Sequence, residues 1–171
     1  MGADATGRLE RSAKEVAEEV VALAVARGAT VAVAESLTAG LVAGTLGSVP
    51  GASQVLRGAV VAYASDLKVT LLGVDELLLD HGGAIQAEVA MAMADGVAAR
   101  LGAGYGVGTT GVAGPDAQDG QPPGTVYVAV HAPTGRHVVG RSGETALEGD
   151  RGEVRWATVV LALELLAEQL R

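Results

Sequence analysis

The chain has 171 residues, 49% of them hydrophobic, with no Phe, one Trp and three Tyr, which suits one domain, residues 1–171, with a core of Ala, Val and Leu. A formal net charge of −8 argues against a general nucleic-acid binder, because phosphate neutralisation needs clustered Lys and Arg. The absence of Cys excludes disulfides, thiolate catalysis and Cys-ligated zinc, and the His at 81, 131 and 137 form no HExxH-like pair, so no metal is expected.

No charged-then-apolar leader opens the sequence and no apolar run reaches membrane-spanning length, which leads to the expectation of a soluble, cytoplasmic protein with no membrane partner. Leu9, Val16, Val20 and Leu23 recur at helical spacing among charged residues and predict an amphipathic helix from about Gly7 to Arg27. ATVAVA, at 29 to 34, is a short β-branched run that suits a strand buried on both faces. A second helix is expected from Thr38 to Leu46, ended by the Val49-Pro50-Gly51 turn. VLRGAVVAYA, at 55 to 64, reads as the next strand, and Ser65 or Asp66 can cap a short helix carrying Lys68 through Leu72. A further helical piece lies at Asp75 to Leu79, and AEVAMAMADGVAARLG, at 87 to 102, is helical. GYGVGTT, TVYVAVHAP and RHVVGRSGE predict three more strands, the last two joined as a hairpin at Pro133-Thr134-Gly135. The last helix spans about Asp150 to Arg171, with Leu161, Leu163, Leu165, Leu166 and Leu170 on its apolar side. Strands interleaved with helices, then a meander, imply an α/β fold with a mixed sheet covered on both faces. Ligands in such sheets gather beyond the strand ends.

Three strand exits carry candidate chemistry. Ser36 stands between the first strand and the second helix, where it serves either as an N-cap or as a nucleophile beside free backbone N–H groups and a helix dipole. No G-x-S-x-G or S-x-x-K surrounds it, so its base must come from elsewhere. Tyr63 and Lys68 flank the next strand-to-helix junction, and a lysine in a partly dry cleft can act as a base; otherwise they are a strand-end aromatic and a solvated lysine. GVGTTGVAGP contains G-x-G-x-x-G, yet no helix follows, so a dinucleotide fingerprint is rejected in favour of a Gly-rich strand exit. Glu35 can orient a donor, hold a cation or face solvent. Arg151 and Arg155 share a helix face that suits an anionic phosphate, or pair with Asp150, Glu148 or Glu153.

Five ordered blocks, VAVAESLTAGLVAGTL, VPGASQVLRGAVVAYASDLKVTLLGV, HGGAIQAEVAMAMADGVAARLGA, TTGVAGPDAQDGQPPGTVYVAV and GDRGEVRWATVVLALELL, resemble the C-terminal domain of the CinA family of competence- and damage-inducible proteins, which includes nicotinamide-nucleotide amidohydrolases. The resemblance covers the chain from about Val16 onward. It implies a three-layer α/β/α sandwich, a homo-oligomer, and hydrolysis of the carboxamide of nicotinamide mononucleotide to nicotinate mononucleotide and ammonia, with no metal or organic cofactor. It also implies Ser36 as nucleophile and Tyr63 and Lys68 as its activators, with Thr38, Thr110 and Gly111 lining the pocket. Backbone N–H groups near Leu37 and Thr38 then hold the oxyanion, beside Glu35, and Arg151 and Arg155 meet the substrate phosphate. Where family members usually read A-E-S-C-T-G-G, this chain has Leu37 and Ala39, and it has Gln86 in place of a serine and Asp116-Ala117-Gln118-Asp119 in place of a Gly-rich run. Those departures motivate two alternatives: a catalytically weak nucleotide-binding or assembly module of the same fold, and a hydrolase of another small amide.

Overall fold

Short runs of small and β-branched residues settle into five strands, β1 (Val31–Glu35), β2 (Leu56–Val61), β3 (Tyr105–Gly111), β4 (Val126–Ala132) and β5 (Gly135–Arg141). The computed structural model describes residues 2–171. The strands form one sheet in the order β2-β1-β3-β4-β5, with β1 parallel to β2 and β3 and the last two pairings antiparallel. Because the first three run the same way, Glu35 pairs with both Val61 and Thr109, and their C-terminal ends open on one edge of the sheet. That edge is where a ligand site belongs.

Helices α1 (Gly2–Arg27), α2 (Leu41–Gly47) and α6 (Arg151–Leu170) cover one face, and α3 (Ser65–Leu72), α4 (Glu76–Gly82) and α5 (Ala87–Leu101) cover the other. The result is a mixed sheet between two helical layers. Alternation along β1 divides the core: Val31 and Val33 pack with Ala17, Val20 and Ala24 of α1 and Leu163, Leu166 and Leu170 of α6, while Ala32 and Ala34 pack with Val89, Met93 and Val97 of α5. Each fully buried Val, Leu or Met contributes about 1.5–3 kcal/mol. The apolar stripe of the last helix is therefore covered largely within the chain, by α1 and the sheet.

A core without Phe is tight for a stated reason. A Cβ added at Gly106 would lie 2.0 Å from the Ala94 carbonyl oxygen, and one at Gly108 would lie 2.2 Å from that of Ala90. The backbone of α5 thus rests directly on β3, and the glycines of the G-x-G-x-x-G run are packing residues at their first two positions.

The structure moves several expected boundaries. The first helix begins at Gly2. The second begins at Leu41 instead of Thr38, because Ala39 and Gly40 both adopt left-handed backbone angles, φ 48° and 95°, which a helix cannot continue through. Neither Ser65 nor Asp66 caps α3; both lie in its first turn, and Ala64 precedes it without a side-chain cap. The helical piece at 75 to 79 is longer, with Asp75 capping Leu77. Among the described residues no helix is long and apolar enough to cross a membrane.

Candidate active site

Ser36 continues the β1–β3 pairing by one residue, its amide donating to the Thr109 carbonyl at 3.1 Å. It does not cap α2. That work falls to the fully buried Glu35, whose carboxylate accepts from the amides of Gly40, Val42 and Ala43 at 3.0, 3.1 and 2.9 Å. Glu35 therefore neither holds a cation nor faces solvent, and the dipole of α2 is directed at it and not at Ser36. The serine hydroxyl is left free of capping, in a turn where the Leu37 and Thr38 amides donate to no acceptor among the described residues. The Thr38 hydroxyl is hydrogen-bonded to that of Thr109 at 2.8 Å, fixing the turn to β3.

Lys68 arrives from the first turns of α3 and is 1% exposed, so it is no solvated lysine. Its Nζ lies 3.1 Å from Ser36 Oγ, 2.8 Å from the Ala62 carbonyl and 3.2 Å from the Tyr63 carbonyl. Burial lowers its pKa below the ordinary lysine value, an effect opposed by the negative charges of Asp119 and Asp66. Tyr63 contributes differently from the expectation. The residue is 54% exposed and its hydroxyl accepts from Arg151 at 2.8 Å, so the phenol hydrogen-bonds neither Ser36 nor Lys68; its carbonyl accepts from Lys68.

Ser36, Leu37, Gly111, Arg151 and Tyr63 line one narrow cleft of about 70 Å³, together with Ala84, Ile85, Asp116 and Gln118. A larger groove lies between α1 and α2, around Lys14, Leu41 and Trp156, and contains none of the candidate site residues. Arg151 donates to the Gly114 carbonyl at 2.7 Å and forms no carboxylate pair among the described residues, although Asp116 lines the same cleft. Arg155 departs from the phosphate expectation: it donates to the Leu37 and Thr38 carbonyls at 2.9 and 3.1 Å and braces the serine turn. Asp150 and Glu153, offered as alternative partners, instead form the capping box of α6. Thr110 sits behind the wall, donating to the Ala84 carbonyl at 2.7 Å.

Sequence reasoning missed Thr109, which has no motif of its own, and Asp119. The latter had a signal. Asp119-Gly120, with φ 50° and 73°, forms the two-residue turn of a tight bridge between Gln118 and Gln121, as an Asp-Gly pair favours.

Comparison with known proteins is consistent across sequence and structure. Residues 13–170 match the family model of the CinA C-terminal domain. A CinA-like protein of Frankia casuarinae is 48% identical over 170 residues, covering 99% of this chain and 38% of the relative. A putative competence-damage inducible protein of Desulforamulus reducens is 43% identical over 152 residues, 88% of this chain and 36% of that one. The chain thus spans under two fifths of the length of these curated relatives. The crystal structure of the competence/damage inducible protein CihA from Agrobacterium tumefaciens superposes with a TM-score of 0.86 at 34% identity, covering 94% of this chain and 96% of the other. A CinA superfamily protein from Klebsiella pneumoniae gives 0.86 at 26% identity, over 92% and 97%.

Proposed function

The chain belongs to the CinA C-terminal domain family, and from that premise we propose that it hydrolyses the carboxamide of nicotinamide mononucleotide, with Ser36 as nucleophile and Lys68 as its base. The observation that carries the reading is the set of partners around Lys68 Nζ. A neutral amine has two N–H donors and one lone pair. In the charged form Nζ donates to all three oxygens; in the neutral form the Ala62 and Tyr63 carbonyls, which can only accept, take the two donors and leave the lone pair for the Ser36 hydroxyl at 3.1 Å. Burial favours that neutral form.

In the first step Lys68 takes the Ser36 proton as Oγ bonds to the amide carbon, and the carbonyl oxygen becomes an oxyanion held by the free amides of Leu37 and Thr38. The protonated Lys68 returns its proton to the departing nitrogen, the carbon–nitrogen bond breaks, and ammonia leaves. Water then attacks the ester with Lys68 again as base, regenerating Ser36 and releasing nicotinate mononucleotide. Arg151 is the phosphate partner, and Tyr63 orients it. Binding of the phosphate holds the amide at the serine from a distance.

Ammonia release from the mononucleotide and from the riboside lacking phosphate tests this. Wild type is expected to favour the mononucleotide, and Ser36→Ala to lower its rate by at least about 10³-fold. Tight calorimetric binding without turnover in either protein would instead identify a binding module, and equal rates on both substrates would remove the nucleotide assignment.

A further inference from the structure

Asp119 belongs to no part of the reaction described above, yet it touches the wall of the same cleft. Its carboxylate accepts from the Ala84 amide at 2.8 Å, while Thr110 from β3 donates to the Ala84 carbonyl at 2.7 Å. The peptide groups on either side of Ala84 are thus gripped by the sheet and by the 115–122 loop, and Ala84 and Ile85 line the cleft together with the residues that the loop supplies, Asp116 and Gln118. The approach is close: a Cβ at Gly83 would fall 2.6 Å from the Asp119 side chain. The Asp119-Gly120 turn holds the loop tip in the shape that presents the carboxylate.

We propose that Asp119 is a positioning residue, a latch that fastens the 115–122 loop to the α4–α5 connection and sets the width of the Ser36 cleft. This rests on the amidase reading. The charged groups that act on Lys68 are Asp119 on the loop and Asp66 on its own helix, while Asp116, Arg151 from α6 and Tyr63 after β2 line the neighbouring cleft at Ser36. Of these, Asp119 and Asp66 raise the lysine's proton affinity against burial. The two carboxylates share that electrostatic effect, but only Asp119 grips the cleft wall.

Three variants separate the roles. Asp119→Ala removes latch and charge, Asp119→Asn removes the charge while its Oδ1 still accepts from Ala84, and Asp66→Asn removes a charge without touching the latch. Hydrogen exchange at the Ala84 amide is expected to quicken roughly tenfold in Asp119→Ala and to stay near wild type in the other two. The Asp119→Ala variant is also expected to raise KM for the mononucleotide several-fold. The rate of Ser36 sulfonylation by phenylmethylsulfonyl fluoride, followed against pH, is expected to shift its acid limb to lower pH in both Asn variants, because less negative charge makes Lys68 easier to deprotonate. Unchanged Ala84 exchange and unchanged KM in Asp119→Ala overturn the latch, and an unmoved or upward limb in Asp119→Asn overturns the charge effect. Exchange and sulfonylation do not depend on which amide is cleaved. A wild type that is sulfonylated at Ser36 and releases no ammonia therefore overturns the nucleotide-amidase reading, while the latch is still decided by exchange.

Discussion

Ala39 shows how a single residue shapes the site. It occupies a left-handed conformation, φ 48°, in the turn that presents Ser36, at a position where the family resemblance expects glycine. The left-handed region costs an L residue about 1–2 kcal/mol, and glycine returns part of that as about 0.5–1 kcal/mol of lost chain entropy. Ala39→Gly is accordingly expected to raise stability by about 0.5–1 kcal/mol in urea unfolding; a loss of stability would mean the turn is not strained there. At this scale the meeting of Ser36 and Lys68 was legible in the sequence, because both follow strands whose exits lie on one edge of the sheet. The sequence was not legible for Glu35, Arg155 or the Tyr63 phenol. Their partners, the α2 amides, the Leu37 and Thr38 carbonyls and Arg151, are chosen by three-dimensional approach, and spacing along the chain carries no record of that choice.

At the scale of elements, close approach of α5 to β3 holds the Ser36 edge in register. Gly106 and Gly108 let the helix backbone lie on the strand, and β3 in turn supplies Thr109 and Thr110 to the serine turn and the cleft wall. Gly108→Ala forces a Cβ to 2.2 Å from the Ala90 carbonyl oxygen, and is expected to cost about 1–3 kcal/mol by denaturant unfolding. A near-neutral change would show that helix and strand can part without loss. Strand and helix order could be read from β-branched runs and helical spacing. The start of α2 could not, since propensity places Thr38 and Ala39 in the helix and only the left-handed angles of Ala39 and Gly40 reveal the break.

For the whole molecule, the buried amine couples stability to pH. The folded value of Lys68 lies below the ordinary 10.5, so between the folded value and 10.5 the unfolded chain binds the extra proton. Stability attributable to this group therefore rises with pH across that window, and below the folded value the full penalty of burying the ammonium applies. Thermal unfolding against pH is expected to show this rise in wild type and to lose it in Lys68→Met; identical pH dependence in the two proteins would contradict the burial argument. The layered fold was readable as a whole, since a mixed sheet between helical layers follows from the order of elements. The same lysine links fold and chemistry, because the burial that weakens the folded state also favours the neutral amine that the proposed base step requires. The most direct measurement is kcat/KM for ammonia release from nicotinamide mononucleotide as a function of pH, in wild type, Ser36→Ala and Lys68→Met. Wild type should rise with pH through a single ionisation below 10.5, with both variants near background throughout. Ammonia release by Ser36→Ala at the wild-type rate would contradict the account.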